Sequence, residues 1–214
     1  MKFILAVFLV LGLTLGESNF GDTGFVGTSK LPASTDGTLY EQPYDFPNLT
    51  NGIYVYAPQF ACADNFAFTS SATIKSIAIW MVFTTAGHPY DITLDIYQDN
   101  SGEFGTCVWS DTIAAANQTE TLTGDQQWGF DLYRSDLQLQ NYPTLPAGTY
   151  WLAVSVLSSS NLVAWLVCDP TYPPNMKQYN SGTWNSFPYD CWFGLYDHDV
   201  ALARTTWASI KTAF

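Results

Sequence analysis

The chain has 214 residues, of which 47% are hydrophobic and only 12% are charged, and its formal net charge is −12. This length and composition suit one domain with a sizeable core. The 7 Lys and Arg residues are spread singly, so no basic patch is available to bind nucleic acid or an anionic membrane surface.

The N-terminus has the pattern of a secretory signal peptide. Lys2 supplies an early positive charge, residues 3–15 form an apolar run, and a cleavage site is expected near residues 16–18. A retained anchor is the alternative, but the run is shorter than the roughly 20 apolar residues that a spanning helix needs. We therefore expect residues 1–16 to be removed, leaving a secreted, extracellular protein without a membrane span in its mature form.

Two further segments lack the pattern of a packed domain. Residues 17–38 are mostly Gly, Ser, Thr and Asp with little periodicity, which predicts a flexible leader. Residues 200–214 form a C-terminal tail, which is the only part of the predicted mature chain whose pattern is compatible with a helix. They lack the apolar end of a lipid-anchor signal. The predicted domain therefore covers residues 39–199.

Short alternating segments separated by Gly, Pro and Asn turns fill this domain. Strands of this length at this spacing, without an amphipathic helix, predict an all-β fold, a two-sheet antiparallel β-sandwich. The strand at 91–97 is expected to bury one face and to point Tyr97 outward. The predicted strands cover residues 39–40, 53–56, 62–68, 73–83, 91–97, 106–113, 119–122, 127–133, 150–157, 162–168, 176–179 and 191–196.

The strand at 150–157 has the clearest pattern. It follows a turn at Leu145-Pro146-Ala147-Gly148, and both of its alternating sets of side chains are largely apolar. Apolar residues on both faces predict a central strand covered on two sides. Four Trp residues within predicted strands are expected in the core: Trp80, Trp151, Trp165 and Trp192.

Five short motifs resemble a known group of domains. In chain order they are Leu39-Tyr40-Glu41-Gln42-Pro43, Ala63-Asp64-Asn65-Phe66, Ile92-x-Leu94-x-Ile96-Tyr97-x-Asp99, Asn100-Ser101-Gly102 and Leu145-Pro146-Ala147-Gly148-Thr149-Tyr150-Trp151. Over residues 39–197 the chain resembles the secreted jelly-roll domains of exported bacterial surface proteins, many of which have a PEP-CTERM sorting tail. The resemblance implies a jelly-roll-like topology and no particular activity. The chain departs from the group in Asn65, where a second Asp is usual, in its predicted disulfides, and in lacking the sorting tail.

Four cysteines in an exported chain predict two disulfides that stabilise the sandwich. Three pairings are possible, and the spacing alone does not decide among them. We favour Cys62–Cys107 and Cys168–Cys191, because the second pair brackets an apparent hairpin. Zinc binding is a weaker alternative, since the chain has no CxxC motif and its two His residues stand alone.

Two sequons make the chain a candidate glycoprotein. They are Asn48-Leu49-Thr50 and Asn117-Gln118-Thr119. Such tripeptides also occur by chance, so Asn48 and Asn117 are acceptors only if the source organism glycosylates.

Aromatic residues are the most informative excess, at 16% of the chain with 8 Trp and 13 Tyr. Residues 169–190 mix aromatic rings with Asn and Gln in a Pro- and Gly-rich stretch, and a rigid surface of that kind suits a glycan or a protein partner. The equally weighted alternative is that the rings cover the end of the sandwich. The candidate ligand-binding residues are Trp109, Tyr172, Tyr179, Trp184 and Tyr189.

A candidate calcium site, the only cofactor that the sequence suggests, lies in the predicted loop at 99–105. Asp99, Ser101 and Glu103 alternate oxygen-bearing side chains around Gly102, and calcium takes six to eight oxygen ligands. A polar turn uses the same residue types and is the favoured alternative.

No convincing catalytic arrangement is present. A glycosidase needs two facing carboxylates, and the four Glu residues all fall outside convincing buried strands. Asp64 is the most suggestive single acid, although bonding turn amides or a cation explains it better than catalysis. A nucleophile elbow of the GxSxG type is absent.

Three functions are therefore compared. The first is a secreted, non-catalytic β-sandwich that binds an extracellular glycan or surface protein through aromatic loops, with carbohydrate as the leading candidate. The second is a structural subunit of a fibre or coat, assembling as a homo-oligomer by strand addition. The third and weakest is a glycan-acting enzyme.

Overall fold

The computed structural model describes residues 37–42, 49–84, 88–158, 162–168 and 176–199. The predicted signal peptide and tail, and nearly all of the predicted leader, lie outside these ranges. Within the described ranges no helix is long and apolar enough to cross a membrane. The described elements are a 3-10 turn at Ala115–Asn117 and, in chain order, the strands β1 (Thr38–Glu41), β2 (Leu49–Tyr54), β3 (Phe60–Phe68), β4 (Ala72–Thr73), β5 (Ser76–Phe83), β6 (Ile92–Asn100), β7 (Glu103–Ile113), β8 (Gln118–Gln127), β9 (Phe130–Gln138), β10 (Thr144–Leu145), β11 (Gly148–Val156), β12 (Val163–Cys168), β13 (Lys177–Asn180), β14 (Thr183–Ser186), β15 (Asp190–Cys191) and β16 (Phe193–Tyr196).

These strands pair into two large antiparallel sheets and one small pair, β4 with β10. The six-stranded sheet has the order β14-β13-β3-β11-β6-β7. The eight-stranded sheet contains β1, β2, β5, β8, β9, β12, β15 and β16, with β16 between β1 and β5. The prediction of an all-β, antiparallel fold is confirmed.

The two large sheets share one hydrophobic core, which gives the fold its β-sandwich character. Strands β3, β6 and β11 contribute alternate side chains from the six-stranded sheet, and β5, β12 and β16 do so from the eight-stranded sheet. Period-two alternation places these side chains on one face of each strand. Large core members include Phe66, Tyr150, Leu152, Val154, Ile77, Ile79, Met81, Trp165 and Phe193.

The predicted central strand is confirmed as β11. It lies between β3 and β6, and residues Tyr150 to Val154 are buried without a break. All four Trp residues predicted in the core are buried. Burial on both faces explains why the alternation of this strand carries apolar residues on both sides.

The predicted strand at 73–83 is two strands, because the chain changes partner at Ile74 and Lys75. The Ile74 amide donates to the Pro143 carbonyl (3.0 Å), and the Lys75 amide donates to the Tyr196 carbonyl (2.8 Å). The chain therefore passes from the two-stranded pair into the eight-stranded sheet within a segment whose apolar pattern is continuous, so the pattern did not predict the break.

Tight turns correct two further predictions. The predicted loop at 99–105 is a hairpin in which β6 and β7 are joined by Ser101 and Gly102 alone, with φ of 58° and 88°. The predicted strand at 127–133 includes a turn at Trp128 and Gly129, with φ of 53° and 80°. Positive φ at both central residues is the requirement of type I′ turns, and Ser and Trp in the first position gave the sequence no such signal.

The predicted disulfide Cys62–Cys107 is wrong. Cys62 lies in β3 and Cys107 in β7, three strands away in the six-stranded sheet, which is roughly 14 Å at about 4.8 Å per strand. Disulfide-bonded Cα atoms lie within about 7 Å of each other. Cys62 is also fully buried, whereas Cys107 is exposed.

The predicted disulfide Cys168–Cys191 is wrong for another reason. In the pairing of β12 with β15, Cys191 faces Val167, while Cys168 faces Asp190. Adjacent strand residues point to opposite faces, so Cys191 points into the core and Cys168 packs on the outer side of the sheet. All four cysteines carry free thiols in the structure.

Candidate functional site

The outer face of the six-stranded sheet carries a cluster of aromatic rings, which we call the aromatic face. Its members come from five different strands, so the assembled sheet alone brings them together. They are Tyr97 (β6), Phe104 (β7), Trp151 (β11), Tyr179 (β13) and Trp184 (β14).

Alternation and small neighbours explain how these rings cover the sheet. Tyr97 and Trp151 are paired in register and point away from the core. Ala63 and Ala153 lie on the same face as Trp151 and leave room above the sheet for longer side chains. Rings from the two hairpins at opposite ends of the sheet therefore meet over its middle.

The rings form a continuous series of contacts. The centroid of Phe104 lies 5.2 Å from that of Tyr97, 5.3 Å from that of Trp151 and 4.8 Å from that of Trp184. Tyr179 and Trp184 follow at 5.5 Å. Interplanar angles between 48° and 70° mean that no ring face in the series is stacked flat on another.

Burial divides the cluster into a support and a surface. Trp151 is fully buried, and its Nε1–H donates to Asp99 Oδ1 (2.8 Å). The other four rings are partly exposed. Trp151 therefore forms the buried base of the cluster, and Phe104 and Trp184 pack above it at the surface.

A lysine lies beneath the rings. The Nζ atom of Lys177 is 5.6 Å from the Phe104 centroid and 5.4 Å from the Trp151 centroid, distances typical of cation–π contacts. It pairs with Glu103 Oε2 at 2.5 Å, although the Lys177 side chain is only 6% exposed and the Glu103 side chain 73%. The aromatic face thus combines apolar rings with the Lys177 ammonium and the exposed Glu103 carboxylate at its edge.

The amides expected beside the aromatic residues point elsewhere. In the β13–β14 hairpin Tyr179 faces Trp184, and Gln178 faces Asn185 on the opposite side. Gln178 Nε2 donates to the Tyr54 carbonyl (3.1 Å) in the eight-stranded sheet. The charged groups on the aromatic face include the carboxylates of Asp95 and Glu103, from β6 and β7, and the Lys177 ammonium.

The structure brings together two of the five predicted ligand-binding residues. Tyr179 and Trp184 belong to the aromatic face, whereas Trp109 and Tyr189 pack against the inner core. The Trp109 Nε1–H donates to the Asn141 carbonyl (3.0 Å). Tyr172 lies outside the described residues.

Sequence reasoning missed Phe104 and Lys177. Phe104 fell in a predicted loop, and a single Lys on a short strand carries no signal. The sequence did indicate one member of the aromatic face, because the alternation of residues 91–97 predicts that Tyr97 points away from the core.

The candidate calcium ligands have other partners in the structure. Asp99 accepts hydrogen bonds from the Trp151 indole and from the Gly102 amide (3.0 Å), as in a polar turn. Glu103 pairs with Lys177, and Ser101 occupies the left-handed turn position. Among the described residues, no three His, Cys, Asp or Glu side chains are grouped so that they could hold a metal ion.

Asp64 lies between the two sheets rather than at the surface. It is 1% exposed, and its carboxylate accepts hydrogen bonds from the amides of Asn65 (2.8 Å) and Cys191 (2.5 Å). Burial raises the pKa of this carboxyl well above its ordinary value, the two amide bonds lower it, and nearby Asp190 raises it further. The interpretation of Asp64 as an acid that bonds amides agrees with these contacts.

The sequons remain predictions. Asn117 ends the 3-10 turn and is partly exposed, which suits an acceptor. Asn48 lies outside the described residues.

A second polar feature is a groove of about 300 Å³ on the eight-stranded sheet. His88 lines it, with Nδ1 2.5 Å from Glu120 Oε2 and its ring stacked on Phe83 at 4.5 Å. Tyr133 contacts the same imidazole ring at 4.6 Å. The groove lies on the other sheet from the aromatic face and shares none of its rings.

Comparison with protein-family models finds no matching family, and comparison with curated proteins finds no similar sequence. The function must therefore be argued from the site itself.

Proposed function

We propose that this chain is a secreted, non-catalytic β-sandwich that binds an extracellular or cell-surface carbohydrate through its aromatic face. The observation that carries the proposal is the row of partly exposed rings held by Trp151 over the middle of the six-stranded sheet. The jelly-roll-like topology implied by the resemblance to exported surface domains belongs to the same proposal.

Sugar chemistry suits this surface. Pyranose rings present apolar C–H faces that stack on aromatic rings, and their hydroxyl groups donate to carboxylates. The partly exposed rings of Phe104 and Trp184 supply the first kind of contact. Asp95, on the same face of β6 as Tyr97, supplies the second. The net charge of −12 disfavours an anionic polysaccharide and favours a neutral one.

Retention on insoluble neutral polysaccharides, or a glycan array, tests the proposal. Each ring contact is worth about 0.5–1.5 kcal/mol, so Trp184→Ala and Phe104→Ala are each expected to weaken binding roughly 2- to 12-fold. The matched control is Trp128→Ala, because Trp128 is 46% exposed on a turn of the other sheet. Equal binding by all four proteins, or no binding by the wild type, would contradict the proposal.

Assembly into a fibre or coat is the second candidate. The edge strand β7 favours it, because its 11 residues are mostly exposed and, among the described strands, it pairs only with β6. An edge of that length is a template for strand addition. A strictly monomeric protein at high concentration in size-exclusion chromatography would remove this candidate.

A further inference from the structure

Two thiols touch across the interior of the sandwich. Cys62 Sγ and Cys191 Sγ lie 3.4 Å apart, and both residues are fully buried. Cys62 belongs to the six-stranded sheet and Cys191 to the eight-stranded sheet. We propose that these two cysteines form a disulfide that joins the sheets in the mature protein, an inference that rests on the proposed secretion and not on the identity of the ligand.

Strand pairing directs both sulfurs to the same point. Cys62 is paired in register with Val154, and Cys191 with Val167, and both valines belong to the central core. A disulfide requires an S–S distance of about 2 Å, so the two sulfurs need to approach by little more than an ångström. We expect rotation of the two side chains to supply that movement without a change of strand register.

Beside the two thiols, a hydrogen bond between β15 and β3 connects the two sheets. The Cys191 amide donates to Asp64 Oδ2, two residues along β3 from Cys62. The main chain around one sulfur is thus attached directly to the strand that carries the other. This contact reduces the freedom of the two cysteines to separate.

Met176 packs against both sulfurs of the pair. Its Sδ atom lies 4.0 Å from Cys62 Sγ and 3.9 Å from Cys191 Sγ, and the residue is fully buried. Three sulfurs in contact also form a donor set for a soft metal ion, which is the competing occupant. The two sheets enclose the site so that a solvent reductant has no direct access to it.

Burial also indicates when the bond forms. Desolvation raises the pKa of both thiols, so few thiolates are available for exchange once the domain has folded. The reaction therefore takes place while the chain is still open. A thiolate of one cysteine attacks an exogenous disulfide to give a mixed disulfide, and the second cysteine displaces the carrier thiol. In total the two thiols lose two protons and two electrons, and one carrier disulfide is reduced to two thiols.

The remaining cysteines supply an internal comparison. Cys107 is exposed and Cys168 partly exposed, on outer sides of different sheets. We expect both to react with iodoacetamide in the denatured, unreduced protein while Cys62 and Cys191 do not.

Peptide mass spectrometry of the full chain, recovered from a host that exports it, tests the proposal. The expected result is a linked pair of peptides containing Cys62 and Cys191, which separate and become alkylated only after dithiothreitol. Alkylation of Cys62 and Cys191 without reduction would overturn the proposal. Linkage of either residue to another cysteine, or a copper or zinc ion bound to free thiols in the native mass spectrum, would overturn it as well.

Melting curves provide a second readout. Cys62→Ala/Cys191→Ala is expected to lower the melting temperature by roughly 5–15 °C and to remove its sensitivity to dithiothreitol. Cys107→Ala/Cys168→Ala should keep that sensitivity, and the opposite pattern would contradict the proposal. If the first variant fails to fold, the mass spectrometry of the wild type decides. Polysaccharide retention by the bonded protein is scored separately, so loss of binding contradicts only the proposed function.

Discussion

Each large sheet carries an aromatic cluster with one cation on its outer side. The rings of one cluster are buried, and most of those of the other are partly exposed to solvent. On the eight-stranded sheet Arg134 lies over the rings of Trp80 (5.2 Å) and Tyr196 (5.7 Å), and both rings are buried. We call this the closed face. On the aromatic face Lys177 lies over Phe104 and Trp151, and Phe104 remains partly exposed.

The partners of the two cations show what this difference means. Arg134 pairs with Asp136, whose side chain is 1% exposed, whereas Lys177 pairs with Glu103, whose side chain is 73% exposed. A buried partner belongs to the fold, because separating the pair leaves a charge in a low dielectric. The exposed Glu103 carboxylate is hydrated with or without its partner, so a ligand that displaces it needs to supply a new partner for Lys177 alone. Similar residues thus serve packing on one sheet and, under the proposed function, ligand recognition on the other.

Truncating one Trp on each face gives the largest expected contrast. Trp80→Ala removes a fully enclosed ring and is expected to lower the free energy of unfolding by about 3–5 kcal/mol. Trp184→Ala removes a ring that already contacts water and should cost less than about 1.5 kcal/mol. Urea unfolding measures both. Equal losses would mean that the aromatic face is a second core and not a surface.

Removing each cation gives the next contrast. Arg134→Met leaves the buried Asp136 carboxylate without the guanidinium and is expected to cost about 3 kcal/mol. Lys177→Met keeps the aliphatic packing and frees an exposed carboxylate, so a loss of about 1 kcal/mol or less is expected. The comparison fails if Lys177→Met is the more damaging of the two variants in the same unfolding assay.

The smallest contrast is a pH dependence. Burial raises the pKa of Tyr196 on the closed face to about 12, while the neighbouring Arg134 lowers it in part. Because the folded state holds the proton more tightly than the unfolded state, the stability from this group is present below pH 10 and is lost as the pH rises towards 12. Tyr196→Phe should therefore flatten the decline in unfolding free energy over this window by roughly 2 kcal/mol.

Tyr97→Phe, on the aromatic face, is the matched variant for that titration. Tyr97 is partly exposed, and its removal should leave most of the decline in place. An unchanged slope in Tyr196→Phe would show that the closed face is open to water at high pH.

Much of the scaffold was predictable because alternation reports burial directly. The strand at 150–157 and the inward set of Ile92, Leu94 and Ile96 needed only a period of two. The structure buries the inward set, residues 150–154 and Val156, whereas Leu157 lies beyond the end of β11 and is 49% exposed. The two-residue turns were not predictable in the same way. Ser101 and Trp128 adopt positive φ without the Gly, Asn or Asp that normally signals it.

The site depended on facts that a single sequence does not contain. Tyr179 and Trp184 were found through composition, but their meeting with Phe104 requires the order of strands in the sheet. The cysteine pairing failed for the same reason, because the face of Cys168 is set by its register with Asp190. Local pattern predicts which side chains alternate, and only tertiary pairing decides which of them meet.

The position of β16 has a consequence for how the protein is made. This strand lies between β1 and β5, so the first described strand joins the sheet through one of the last described strands. Contacts so distant in sequence form slowly and only once both partners are available. During synthesis the eight-stranded sheet therefore stays incomplete until residues 193–196 have left the ribosome. Under the proposed secretion, this delay would keep the nascent chain unfolded enough to pass through an export channel.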